Sequence, residues 1–243
     1  MTRTPKPRVP EAFHRRENGR YLADLVYGAN DGIITTFAVV SGAAGATLAP
    51  HIVVILGITN LIADGFSMGA SSFLSLRSRR SFEAAQRAIE EREVREEPGE
   101  ERHEVASIVR SWGLADREAE IVVTAITKDE KGWVDFMMRE ELGIHLIGDG
   151  PPLRHGFTTG IAFVGAGILP LVPYLFGVAP EDRFFVSIVA TAGALFVVGS
   201  LRSLVTAAPW YRSGLEMLVV GGLAAAVAYG LGAVLAGALG IAL

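Results

Sequence analysis

The 243-residue chain sets 22 Lys and Arg against 26 Asp and Glu, and half of it is hydrophobic, gathered in long blocks rather than an amphipathic scatter. A mildly acidic chain without clustered basic residues offers no phosphate-binding surface, so no nucleic-acid partner is expected. Cysteine is absent, which excludes disulfide scaffolds, thiolate metal sites and cysteine nucleophiles and leaves oxygen, imidazole and thioether as the groups a metal ion would meet.

Residues 1–21 are polar and Arg-rich, without the apolar core and small-residue cleavage site of a secretory signal, and read as a cytosolic tail. Crossing the hydrocarbon takes about 20 predominantly apolar residues. Five stretches qualify (22–48, 51–76, 156–178, 183–207 and 213–243) and predict an all-α integral membrane protein with five transmembrane helices. Lys and Arg crowd the tail (Arg3, Lys6, Arg8, Arg15, Arg16, Arg20), the start of a hydrophilic insert (Arg77, Arg79, Arg80) and the fourth connection (Arg202, Arg212). The positive-inside rule then places the tail and the insert in the cytosol and the C-terminus on the opposite side. With no targeting segment recognised, the expected location is a prokaryotic inner (plasma) membrane. The expected domain plan is a tail to 21, two spans over 22–76, a cytosolic insert over 77–154 and three spans over 155–243.

In the first span Asp24 and Asp31 stand two helical turns apart on one face. A carboxylate at membrane depth costs at least about 3 kcal/mol on insertion scales, so it normally lines a water-filled or ion-binding path. The second span adds Asp64, Met68 and Ser72 at successive i, i+4 positions, putting carboxylate, thioether and hydroxyl on one stripe. Soft sulfur gives nothing to Mg2+ or Ca2+, whereas sulfur with carboxylate suits borderline Fe2+. Small-residue runs, Ser41-Gly42-Ala43-Ala44-Gly45-Ala46 and Gly221-Gly222-Leu223-Ala224-Ala225-Ala226, predict close helix packing in lipid.

The insert turns abruptly charged, and the breaks at Pro98-Gly99 and Ser111-Trp112-Gly113 predict three helices. The first carries Glu90 and Glu93, the second Glu101 and Glu104, each pair at i, i+3; the third, over 116–142, ends in Met137, Met138 and Glu141. These seven residues form a candidate metal site, although interleaved Glu91, Arg92, Arg95 and Arg102 also suit an ordinary solvated face. His103 and His145 lack i+4 partners and read as surface or structural residues, and Trp133 and Phe136 as packing.

The run Tyr27-Gly28-Ala29-Asn30-Asp31-Gly32-Ile33-Ile34-Thr35-Thr36 resembles the first-span signature of the vacuolar iron transporter family, and Ser67-Met68-Gly69 resembles its second-span motif. The two Glu pairs followed by Met137-Met138-x-x-Glu141 are similar to that family's cytosolic metal-binding domain. The resemblance implies a homodimer of five-span protomers that exports Fe2+ from the cytosol in exchange for protons, with Mn2+, Co2+ or Zn2+ as further cargo and no prosthetic group. It gives Asp31 and Met68 roles in the membrane path, Asp24 a role near its cytosolic mouth and the insert a role in collecting ions. One departure is the Ser71-Ser72 pair where many members have Gly-Glu, and Asp64 is expected to supply the missing charge. Membrane-anchored metal sensing or storage, and passive metal conduction, are the alternatives, while an intramembrane enzyme lacks a convincing nucleophile.

Overall fold

The computed structural model describes residues 16–144, 150–204 and 208–240, with side chains from Tyr21 onward. The tail residues Arg3, Lys6, Arg8 and Arg15, and His145 in the insert, lie outside the described residues. Among those described the fold is all-helical. In order come α1 (Arg16–Gly45), α2 (Pro50–Glu96), α3 (Pro98–Ser111), α4 (Asp116–Ile126), α5 (Glu130–Glu140), α6 (Pro152–Gly167), α7 (Val172–Leu175), α8 (Arg183–Leu201) and α9 (Trp210–Ala238). A 3-10 turn, Leu169–Leu171, joins α6 to α7. The chain divides into two compact units, residues 74–149 and the remainder.

Among the described residues, four segments are long and apolar enough to cross a membrane: the helices starting at Pro50, Arg183 and Trp210, and the run Pro152–Leu175. Helix α1 has the length, 30 residues, but Arg16, Glu17, Arg20, Asp24 and Asp31 dilute its apolar character and it is not among the four. The outer surface is apolar, with Phe185, Leu223, Val227 and Val234 all exposed. Such a surface suits lipid and would aggregate in water. The protein is therefore an integral membrane protein.

Helix α1 packs against α6, α8 and α9. In lipid, close backbone approach replaces the hydrophobic effect as the source of helix affinity. A Cβ on Gly28 or Gly32 would run into the backbone carbonyl of Thr159 or Phe163 on α6. On another side of α6, Gly156 and Gly160 meet the carbonyls of Gly69 and Gly65 on α2. The first small-residue run does bring helices together, since Gly42 and Gly45 abut Ala228 and Tyr229 of α9; in the second, Gly221 abuts Leu195 of α8 while Gly222 faces open space. An apolar core of Phe37, Val40, Ala43, Val53, Leu61, Phe163 and Leu171 fills the space between. The α1–α2 turn closes with Leu48 N–H donating to the Ala43 carbonyl and Thr47 held at φ 54°, a left-handed position usually given to glycine.

In the unit of residues 74–149, the predicted three helices are corrected in two places. The insert's first helix is not a separate element: no Gly or Pro interrupts residues 70–97, so α2 runs unbroken for 47 residues to Glu96. Ion pairs one turn apart, Arg79–Glu83 at 2.9 Å and Arg87–Glu91 at 3.1 Å, support this charged stretch. The predicted third helix is two, α4 and α5, because Asp129 caps a new N-terminus by accepting from Gly132 N–H at 2.8 Å. Pro98 opens α3, where its missing N–H costs nothing. Val94, Val105, Val109, Val123, Trp133, Val134 and Phe136 form the apolar core of this unit.

Candidate functional site

The acidic residues of the membrane unit fall into two groups. Asp31 on α1 and Asp64 on α2 are both half-buried. Asn60 Nδ2 donates to Asp64 Oδ2 at 2.8 Å, fixing that carboxylate on its helix. No Lys or Arg occurs on α1 after Arg20 or on α2 before Arg77, so neither helix supplies a cation to neutralise the pair. Met68, one turn beyond Asp64, is partly buried and packs against the apolar core, so its packing role is real. Asn30, beside Asp31, has a buried amide oxygen with no partner. Sequence reasoning quoted Asn30 only as part of a motif.

Asp24 behaves differently. Its Oδ2 lies 2.5 Å from Nδ1 of His155, which is 131 residues away at the start of α6. His155 is only 5% exposed, its ring stacks on Tyr21 with centroids 4.8 Å apart, and its Nε2 is buried without a partner. Thr159 Oγ1 donates to the His155 carbonyl at 2.9 Å and lies 3.5 Å from Ser72 Oγ, which places Ser72 in the same neighbourhood. Sequence reasoning missed His155. The available signal was a histidine set at the head of an otherwise apolar helix.

In the unit of residues 74–149, the glutamates converge. Glu90 is 4% exposed and Glu101 6%, and each has an Oε2 buried without a partner. Burial pushes Glu90 up to about 7, helped by the charges of Glu141, Glu93 and Glu104. Burial likewise pushes Glu101 up to about 7, with Glu104, Glu90, Glu141 and Glu93 adding to it. Glu141 is raised for the same reasons, burial first and then Glu104 and Glu93. All five predicted glutamates therefore share one electrostatic neighbourhood. Met137 and Met138 are both fully buried in the apolar core, as packing residues would be.

Arginines stand on the flank: Arg87 Nη1 pairs with Asp135 at 2.6 Å, and Arg102 binds Glu120, Thr124 and Thr127 at 2.9 Å each. They tie the helices together and leave the glutamates to one another. His103 is exposed on α3. Among the described residues no three His, Asp or Glu side chains stand ready to hold one ion as placed, so closure on a cation requires glutamate side chains to rotate inward. A divalent cation fits this set, since it would give the orphaned Oε2 atoms a partner and discharge the mutual repulsion.

Known proteins provide an independent measure. The chain is 34% identical to vacuolar iron transporter 1 of Arabidopsis thaliana over 211 residues, covering 87% of this chain and 84% of that one. It is 33% identical to the vacuolar iron transporter of Toxoplasma gondii, over 91% of this chain and 76% of that one. It is also 33% identical to the vacuolar iron transporter of Plasmodium falciparum, over 88% and 82% respectively. The model of the VIT family matches residues 22–233, which takes in the first four predicted spans, the insert and about two thirds of the fifth span. On that match the chain belongs to the VIT family, and it is a transporter rather than an enzyme.

Proposed function

We propose that this protein exports Fe2+ from the cytosol, accepts Mn2+ as a related cargo, and exchanges the metal for protons. The observation that carries the reading is that Asp31 and Asp64 both stand half-buried in helices whose apolar stretches hold no Lys or Arg. Such a pair is costly at membrane depth unless a cation visits it. The names of the relatives supply iron.

In this reading α1 is the fifth span, its polar residues lining the path that the other four helices enclose. Asp31, Asp64, Met68 and Ser72 line that path, and Asp24 stands at one end with His155. Five spans set the N-terminus and the insert in the cytosol and the C-terminus opposite, and two copies associate as a homodimer. Glu90, Glu93, Glu101, Glu104 and Glu141, with Met137 and Met138 behind them, collect cytosolic ions for delivery. Carboxylates bind either a proton or a metal, so a proton arriving from the far side displaces the ion. Transport against a gradient requires alternating access.

The test is metal uptake by proteoliposomes across a panel of Fe2+, Mn2+, Co2+ and Zn2+, with and without a pH gradient. Asp31→Ala should abolish flux while insert binding persists; retained flux would reject the path, and a binding-only protein would move no metal in either form. Asp64→Asn should reduce flux at least roughly tenfold if Asp64 supplies the charge missing at Ser72. Flux without counterflowing protons would make the protein a passive conductor.

A further inference from the structure

Helix α6 turns a ridge outward, made of the exposed side chains of Leu153, Phe157 and Ile161 spaced one turn apart. A groove runs along each side of the ridge, and the same three residues wall both. The first, of 570 Å3, lies between α6 and α2, with Phe66 and Phe73 on its far wall. Its floor is glycine: Gly65 and Gly69 from α2, Gly156 and Gly160 from α6. Those four are spent on the contact between the two helices, but Gly165, at the deep end, would set a Cβ in open space. The second groove, of 530 Å3, lies between α6 and α1, with Tyr21 and Leu25 opposite the ridge.

Length and polarity narrow the choice of occupant. From Leu153 to Gly165 the first groove follows α6 for about 18 Å, at 1.5 Å of rise per residue. One leaflet contributes about 15 Å of hydrocarbon, half of the roughly 30 Å core. An acyl chain laid along α6 therefore fits the groove from end to end. The second groove changes character along its length, with Arg154, Tyr21 and Thr158 where α6 begins and Ile161 and Ala162 at the far end. Arg154 is exposed, and its guanidinium has no partner among the described residues. A long cationic side chain at the end of a membrane helix reaches the level of the lipid phosphates. No Asp or Glu lines either groove to oppose an anion there.

We propose that one anionic phospholipid straddles the ridge, with an acyl chain in each groove and its phosphate on Arg154. The ridge separates the grooves, so a molecule with a single tail fills one and leaves the other empty. The bound lipid touches α1, α2 and α6 together and ties the three at one end. In the proposed topology that end of α6 faces the cytosol, the side on which anionic lipids concentrate. The site itself does not depend on what the protein transports.

The full-length chain is delipidated in detergent and offered phosphatidylglycerol or phosphatidylcholine with identical chains. Native mass spectrometry counts the lipid retained, and melting followed by intrinsic fluorescence reports its effect on the fold. The wild type should retain one phosphatidylglycerol per chain and melt higher with it than with phosphatidylcholine. Equal retention of the two lipids would mean an unselective lipid shell and overturns the proposal. Arg154→Gln, at an exposed position, should weaken phosphatidylglycerol retention roughly fivefold and leave phosphatidylcholine unaffected; unchanged retention overturns the role of Arg154. Gly165→Leu, which enters open space, should lower retention of both lipids by filling the first groove. If it instead converts dimer to monomer with lipid retention intact, a second copy of the chain covers that groove and the proposal fails. Inorganic phosphate alone should give no stabilisation, and stabilisation equal to that of the lipid would make Arg154 a site for free anions and overturn the lipid assignment.

Discussion

Lowering the pH should strip metal from the insert over a narrow window. Glu90 and Glu101 are each pushed up to about 7 by burial and by neighbouring glutamates. A group titrating there is about nine-tenths ionised at pH 8 and about one-tenth ionised at pH 6. A cation that needs both carboxylates deprotonated therefore meets a competent site about 100-fold less often at pH 6, equivalent to about 2.7 kcal/mol of binding free energy. The assay is calorimetric titration of the full-length chain in detergent with Mn2+, or with Fe2+ under anaerobic conditions, at pH 6, 7 and 8. Glu90→Gln/Glu101→Gln should bind weakly at all three values. Wild-type affinity that changes by less than about threefold across this range would refute the argument, because two carboxylates at their ordinary values are fully ionised throughout it.

The same glutamates should burden the metal-free fold. Because their folded-state values are raised, the folded chain holds protons that the unfolded chain has released between about pH 4.5 and 7, so stability falls as pH rises through that window and stays low above it. Glu90→Gln should raise the metal-free melting temperature at pH 8 and flatten its pH dependence, while the stabilisation gained on adding Mn2+ shrinks; melting in detergent monitored by intrinsic fluorescence checks both. Gly32→Ala forces a methyl into the Phe163 carbonyl and should cost about 1–3 kcal/mol, whereas Gly222→Ala, which meets open space, should change stability by less than about 0.5 kcal/mol in the same assay. Thr47→Gly should stabilise the α1–α2 turn by about 1 kcal/mol, since a β-branched residue at φ 54° is strained; an unchanged melting temperature would show that the turn tolerates it.

Hydropathy made the helices starting at Pro50, Arg183 and Trp210 and the run Pro152–Leu175 legible, because a segment solvated by lipid must be apolar nearly all round. It served α1 less well. That helix is partly enclosed by α6, α8 and α9, and its polar residues blur the very signal used to find spans. In the insert, Pro98 announced a break, but the end of α2 was misplaced because a change from apolar to charged residues does not interrupt a helix when neither Gly nor Pro does. The division of α4 from α5 turned on one side chain, Asp129, whose capping role appears only once its bond to Gly132 N–H is seen.

The glutamate cluster was readable from i, i+3 spacing, since both members of each pair lie on one helix. The roles of Met137 and Met138 were not, because a thioether at helical spacing serves core and ligand sphere equally well. The Asp24–His155 contact joins residues 131 apart, and no local pattern encodes such a partner.

The glycine contacts of α6 bear on how such a molecule moves. Where Gly156 and Gly160 meet Gly69 and Gly65, and where Gly28 and Gly32 meet Thr159 and Phe163, backbone lies on backbone, while beside them the Val164 side chain of α6 seats against Gly65 of α2 and the Leu61 side chain of α2 against Gly167 of α6. Ordinary helix interfaces resist sliding because knobs must leave their holes, which gives them discrete resting positions. Here the knobs are few: sliding α2 along α6 must lift Val164 from Gly65 and Leu61 from Gly167, so a small number of aliphatic side chains sets the resting positions of an interface that is otherwise backbone on backbone.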